Sequence, residues 1–219
     1  MKLSSLVFLF SVISLMGMSP LAAQQPATQK VPLLKSEKPT TIAFRDTKTG
    51  LYGYKDAATD KVVIPCKYVF AYSFSDGLAA VNIGGKLGFD KEYTNDYFVK
   101  GGKWGYINIS GKIVIPCKYD GADLFYDGLA IVDMKEKKAF IDKTGKEITP
   151  FKYNFINPFS EGLAAVGGGT PLRFSYIDKN GKEVITGDYE AAGNFFKGKA
   201  RVTRYGAIFF INTKGERVK

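Results

Sequence analysis

"VVIPCKY" fills positions 62–68, and "IVIPCKY" returns at 113–119, 51 residues on. Such a duplication marks either a repeated chemical motif or a repeated building unit, and the flanks decide for the unit. "GLYGYKDAATDK" precedes the first heptad and "GKWGYINISGK" the second. An aromatic segment and a "DGLA" turn follow both. The same order recurs in "KKAFIDKTGKEITPFKYNFINPFSEGLAAV" (137–166) and "RFSYIDKNGKEVITGDYEAAGNFFKGKARV" (173–202). A half copy, "AIFFINTKGERVK", runs from 207 to 219. Gly77, Gly128, Gly162 and Gly198 lie 51, 34 and 36 residues apart, which gives a unit of about 35 residues and extra sequence after the first copy. There "GGKLGFDK" (84–91) resembles "GGKWGYIN" (101–108), with "EYTNDYFV" caught between them. An insertion over 86–101, extending one hairpin, accounts for it.

Each recurring position has a packing or turn reading. Ala79/Val81, Ala130/Val132, Ala164/Val166 and Ala200/Val202 alternate with Leu78/Ala80, Leu129/Ile131, Leu163/Ala165 and Lys199/Arg201. Period two places the two sets on opposite strand faces. The small apolar set is expected to pack in every copy, and the charged end of the other set to meet water. Tyr54, Tyr106, Phe140, Tyr176 and Phe210 form an aromatic column expected to be buried. The residue before each is Gly53, Gly105, Ala139, Ser175 and finally Phe209, small until the last copy, as close approach of a neighbouring backbone requires. Gly111, Gly145, Gly181 and Gly215 follow polar pairs and read as turn glycines. Pro65 and Pro116 lack a backbone donor, so they predict strand edges and a corner into the next hairpin. Trp104 reads as an apolar packing residue.

The pattern resembles the bacterial WG-repeat (KWG-repeat) family, on "GKWGYI" (102–107), "SGKIVIPCKYD" (110–120) and "FYDGLAIV" (125–132). The fourth copy departs most, with Thr186-Gly187 in place of Pro-Cys. The resemblance implies an all-β tandem array of variable copy number and no shared enzymatic activity. Residues and resemblance together predict an all-β fold: about four and a half β-hairpin repeats in an open, solenoid-like array. The alternative is a small β-propeller or barrel. Repeats are expected near 50–84, 102–135, 136–169 and 172–205, with a half repeat at 206–219.

The first 23 residues have one Lys, an apolar run from Leu6 to Met18 and then small residues, the layout of a secretory signal peptide. Residues 24–40 are polar and Pro-punctuated and read as a flexible leader before the 41–219 repeat domain. Export to the periplasm, cell surface or medium is the corresponding expectation. The net charge of +10 comes largely from Lys at turn tips, where it discourages edge-to-edge aggregation or draws the protein to an anionic envelope polymer. The chain contains no His, which excludes Ser-His-Asp and Cys-His catalysis and His-based metal sites. No catalytic residue, metal or cofactor is expected, and no nucleic-acid partner. Cys66 and Cys117 occupy one slot in adjacent copies and read either as a disulfide or as two thiols. Tyr93, Tyr97 and Phe98 lie on the insertion, where aromatic side chains offer contact area to a protein, peptide or envelope glycan. A binding module is therefore the first functional expectation, and a structural spacer of the envelope the second.

Overall fold

The computed structural model describes residues 41–90 and 96–219; the expected signal peptide (1–23), the leader (24–40) and Tyr93 lie outside the described residues. The first sheet pairs β1 (Thr41–Arg45), β2 (Tyr52–Asp56) and β3 (Val62–Tyr68). The chain then enters a second sheet through β4 (Phe70–Ala71) and β5 (Leu78–Ile83). It leaves for a separate hairpin of β6 (Lys86–Asp90) and β7 (Asp96–Lys100), and returns as β8 (Lys103–Asn108) and β9 (Ile113–Tyr119). A third sheet holds β10 (Gly121–Ala122), β11 (Leu129–Met134) and β12 (Lys137–Asp142). The fourth orders β13 (Phe155–Ile156), β14 (Ala164–Gly168), β15 (Arg173–Ile177) and β16 (Glu183–Tyr189). The fifth orders β17 (Ala191–Ala192), β18 (Lys199–Arg204), β19 (Ala207–Asn212) and β20 (Arg217–Val218). No helix among the described residues is long and apolar enough to cross a membrane.

Sheets and sequence copies are out of phase. β5 pairs with β8 from Leu78↔Asn108 to Ile83↔Lys103, so the second sheet takes two strands from the first copy and two from the second. Every copy thus ties two neighbouring sheets together covalently. The turns into β5, β11, β14 and β18 are tight and left-handed at both central residues: Asp76 (φ 51) and Gly77 (φ 82), Asp127 and Gly128, Glu161 and Gly162, Lys197 and Gly198. Pro65 and Pro116 sit in edge strands whose register slips at a bulge, where a missing donor costs no ladder bond.

The alternation read from the sequence organises the cores. Tyr54, Ile64 and Tyr68 of the first sheet meet Ala79, Val81 and Ile107 of the second. Tyr106, Ile115 and Tyr119 meet Ala130, Val132 and Ile141 of the third. Phe140 and Ile131 meet Ala164, Val166 and Ile177 of the fourth, and Tyr176 and Ile185 meet Ala200, Val202 and Ile211 of the fifth. Four cores fill the gaps between five consecutive sheets, and among the described residues none joins the fifth sheet to the first. The array is open. The alternative of a closed propeller or barrel falls with that.

Two expectations need correction. Phe210 is 45% exposed, whereas Tyr54, Tyr106 and Tyr176 are wholly buried. It lies opposite Arg201 on the outer face of the fifth sheet, where no further sheet covers it among the described residues. The small residue before the aromatic is also explained differently. A Cβ on Gly105 would lie 2.6 Å from the Ile115 carbonyl oxygen and 2.7 Å from the Cys117 nitrogen, both in the adjacent strand of the same sheet. The crowding comes from the Pro-Cys bulge inside the sheet and not from a neighbouring copy. Phe209 escapes it because β20 opposes β19 only over Arg217 and Val218.

The aromatic column prefers tyrosine for a reason beyond burial. The hydroxyls of Tyr54, Tyr106 and Tyr176 each donate to a corner carbonyl, at Tyr72, Asp123 and Gly193, all at 2.8 Å. Burial pushes these phenols far above their ordinary range, so they remain donors. Tyr68 and Tyr119 are equally buried, but their hydroxyls have no hydrogen-bond partner among the described residues. Tyr106→Phe is therefore expected to lose about 1–2 kcal/mol by orphaning the Asp123 carbonyl, while Tyr119→Phe should be neutral or gain about 1 kcal/mol. Urea unfolding of the two variants checks this; equal losses at both positions would contradict it.

Candidate functional site

The inserted hairpin is built by cross-strand pairing that separates its aromatics. Phe89 stands opposite Tyr97, and Gly88 opposite Phe98. Period two therefore sends Phe89 and Tyr97 to one face and Phe98 to the other. Phe89 and Tyr97 meet with ring centroids 4.9 Å apart. The Phe98 ring lies over Gly88, filling the space a side chain there would need. Tyr97 does not project freely: the Arg45 guanidinium of the first sheet sits 5.8 Å from its ring centre. Even so, Phe89, Tyr97 and Phe98 are each nearly half exposed.

From Tyr97 a row of rings continues over the first two sheets. Tyr52 stands opposite Arg45 in the β1–β2 ladder, and burial raises its phenol above the ordinary range, with Arg45 opposing and Tyr97 reinforcing the shift. Tyr52 packs on Phe70 at 4.9 Å, Phe70 on Tyr72 at 5.2 Å, and Tyr72 on Trp104 at 5.6 Å. Tyr72 is at the surface, Tyr52 and Phe70 are half-buried, and Trp104 is buried at the inner end. Trp104 is thus the packing residue the sequence suggested and also the anchor of the row. The result is an aromatic strip with one guanidinium beside it. Aromatic faces stack on peptide or sugar surfaces at low entropic cost, and phenol hydroxyls at the edges hydrogen-bond to them.

Sequence reasoning named the insertion aromatics and, separately, an aromatic segment after each heptad, which in the first copy holds Phe70 and Tyr72. It missed their union and the part played by Arg45 and Tyr52. No local signal carries that union, because it depends on the hairpin leaving the centre of the second sheet and leaning over the first.

The remaining candidate residues carry no assembled chemistry. Cys66 and Cys117 are both free thiols. The slot they share faces the preceding sheet: Cys117 packs in the core between the first and second sheets, and Phe151 in the core between the second and third. By the same orientation Cys66 turns away from the second sheet, with the first sheet lying between the two sulfurs. Desolvation raises both thiols above their ordinary range, with Asp46 adding to the shift at Cys66, so both stay protonated and weakly nucleophilic. Among the described residues no group of three Cys, Asp or Glu side chains is arranged to hold a metal.

No curated protein sequence matches the chain. Among solved structures, a eukaryotic initiation factor is similar at 12% identity with a TM-score of 0.47, over 82% of this chain and 52% of its own. This chain therefore spans about half of that protein's length. The family model described as "WG containing repeat" matches residues 52–86, 104–137, 139–167 and 174–206, together more than half of the chain. With four matched copies on four repeated sheet junctions, the chain belongs to the WG-repeat family.

Proposed function

We propose that this β-repeat array is an exported, non-catalytic binding module of the bacterial envelope, holding a protein segment, peptide or glycan along the strip from Tyr97 to Trp104. The carrying observation is the continuity of the strip: ring packs on ring from Tyr52 through Phe70 and Tyr72 to Trp104, and Arg45 bridges Tyr52 to the inserted hairpin. A spacer has no use for half-exposed aromatics gathered on one region, whereas a binding surface does. The absence of His from the chain supports a role without acid–base chemistry, and the apolar run in the first 23 residues supports export.

The protein carries its own reporter, since Trp104 is its single tryptophan and ends the strip. Envelope-derived peptides and glycans that bind are expected to shift Trp104 emission. Joint replacement of Tyr93, Tyr97 and Phe98 by Ser should abolish that shift while lowering stability by about 1 kcal/mol or less, since Tyr97 and Phe98 are already half in water. A variant that binds as well as the parent, or one that unfolds, would contradict the proposal.

A further inference from the structure

The corners between sheets are latched in a repeated way, with one omission. At the first corner the Ser75 hydroxyl donates to the Phe125 carbonyl at 2.6 Å, and the Asp76 carboxylate accepts from the Gly128 backbone nitrogen at 2.7 Å. At the third, Ser160 donates to the Phe195 carbonyl at 2.6 Å and Glu161 accepts from Gly198 at 2.9 Å. The second corner places Tyr126 and Asp127 in these slots. Tyr126 is 75% exposed, and Asp127 pairs with Lys179 instead. No equivalent latch joins the second corner to the third among the described residues.

A cavity of about 110 Å³ opens at that unlatched junction. Leu124, Leu129, Ile131, Phe140, Pro158 and Phe159 line it, together with Asp123 and Tyr126. Phe140 contributes a second departure from the repeat, since it replaces the tyrosine whose hydroxyl elsewhere reaches the corner. The Asp123 carboxyl accepts no hydrogen bond among the described residues. Lys138, a cation acting on it, is held by Asp133 at 2.6 Å. Asp123 is exposed as a residue, and partial desolvation of its carboxyl raises it above its ordinary range, with Lys138 opposing and Asp133 reinforcing.

We propose that this unlatched junction is a second binding site, which takes the side chain of a single lysine from a peptide partner. Its four-carbon stem matches an apolar hollow of this size, and its ammonium would pair with the Asp123 carboxylate in the lining, which has no protein donor among the described residues. Cavities of comparable volume accept one small apolar group. The site shares no residue with the aromatic strip, so either can fail without the other.

The test titrates the intact protein with N-acetyl-lysine-N-methylamide and with its norleucine counterpart, which keeps the stem and lacks the ammonium. The methyl resonances of Leu124, Leu129 and Ile131 are followed by NMR. The lysine probe should produce saturable shifts in the millimolar range, and the norleucine probe should bind at least about tenfold more weakly, the worth of a charge-assisted hydrogen bond. Asp123→Asn should erase that preference, and Tyr126→Ser, which restores the latching hydroxyl, should abolish both titrations. Absence of saturable shifts, equal binding of the two probes by the parent, or a preference that survives Asp123→Asn would each overturn the proposal. The comparison within the parent protein decides it even where a variant fails to fold.

Discussion

Gly105→Val is expected to cost about 3 kcal/mol, at the upper end for overpacking, because the new side chain meets backbone that cannot step aside. Its first carbon alone would stand 2.6–2.8 Å from the Ile115 oxygen and from the Cys117 nitrogen and α-carbon. Relief requires opening the β8–β9 ladder at its bulge, the same ladder that positions Tyr106 and Tyr119 in the core. Gly88→Val is the control. The atoms nearest its added carbon belong to the Phe98 ring, a half-exposed side chain rather than backbone, so a loss of about 1 kcal/mol or less is expected. Urea unfolding of both variants reads the difference. Comparable losses would mean that the inserted hairpin is packed as tightly as the repeat.

Much of this architecture is legible in the chain because it is locally encoded. The period-two alternation of Ala79/Val81 against Leu78/Ala80 assigns the two faces, and both prove buried because sheets lie on either side. The Asp-Gly pairs demand left-handed backbone and show it. Pro65 and Pro116 demand edges and occupy them. What is not local is not legible. Nothing in "GLAAV" says that its partner is the "GKWGYI" strand of the following copy, so a sequence copy looks like a sheet although it straddles two. The third copy hides a substitution of another kind. Thr149, at the position of Ile115, is buried and accepts the Phe140 backbone hydrogen bond at 2.9 Å through its hydroxyl. A side chain there replaces a ladder bond, and β12 gains no long partner strand among the described residues.

The candidate site divides the same way. Tyr97 and Phe98 are visible as aromatics that no other copy has, but their orientation is a tertiary fact. One leans on Arg45 and the other covers Gly88. The unlatched corner is visible in hindsight as Tyr126 in a slot held by Ser75 and Ser160. That signal acquires meaning only once the hydroxyl of each serine is seen to cross to the next corner.

The account rests on an open array, in which every core lies between consecutive sheets and the outer face of the fifth sheet is free. The aromatic column tests this directly, because it samples both situations with one side-chain type. Tyr176 is wholly buried between the fourth and fifth sheets, and Phe210 holds the same column position on the outer face. The most direct measurement is the equilibrium unfolding free energy of Tyr176→Ala beside that of Phe210→Ala. An open array predicts a loss of about 3–5 kcal/mol for Tyr176→Ala, as for other buried aromatics, and about 1 kcal/mol or less for Phe210→Ala. A Phe210→Ala loss as large as that of Tyr176→Ala would show that the outer face is packed, and would contradict the open array.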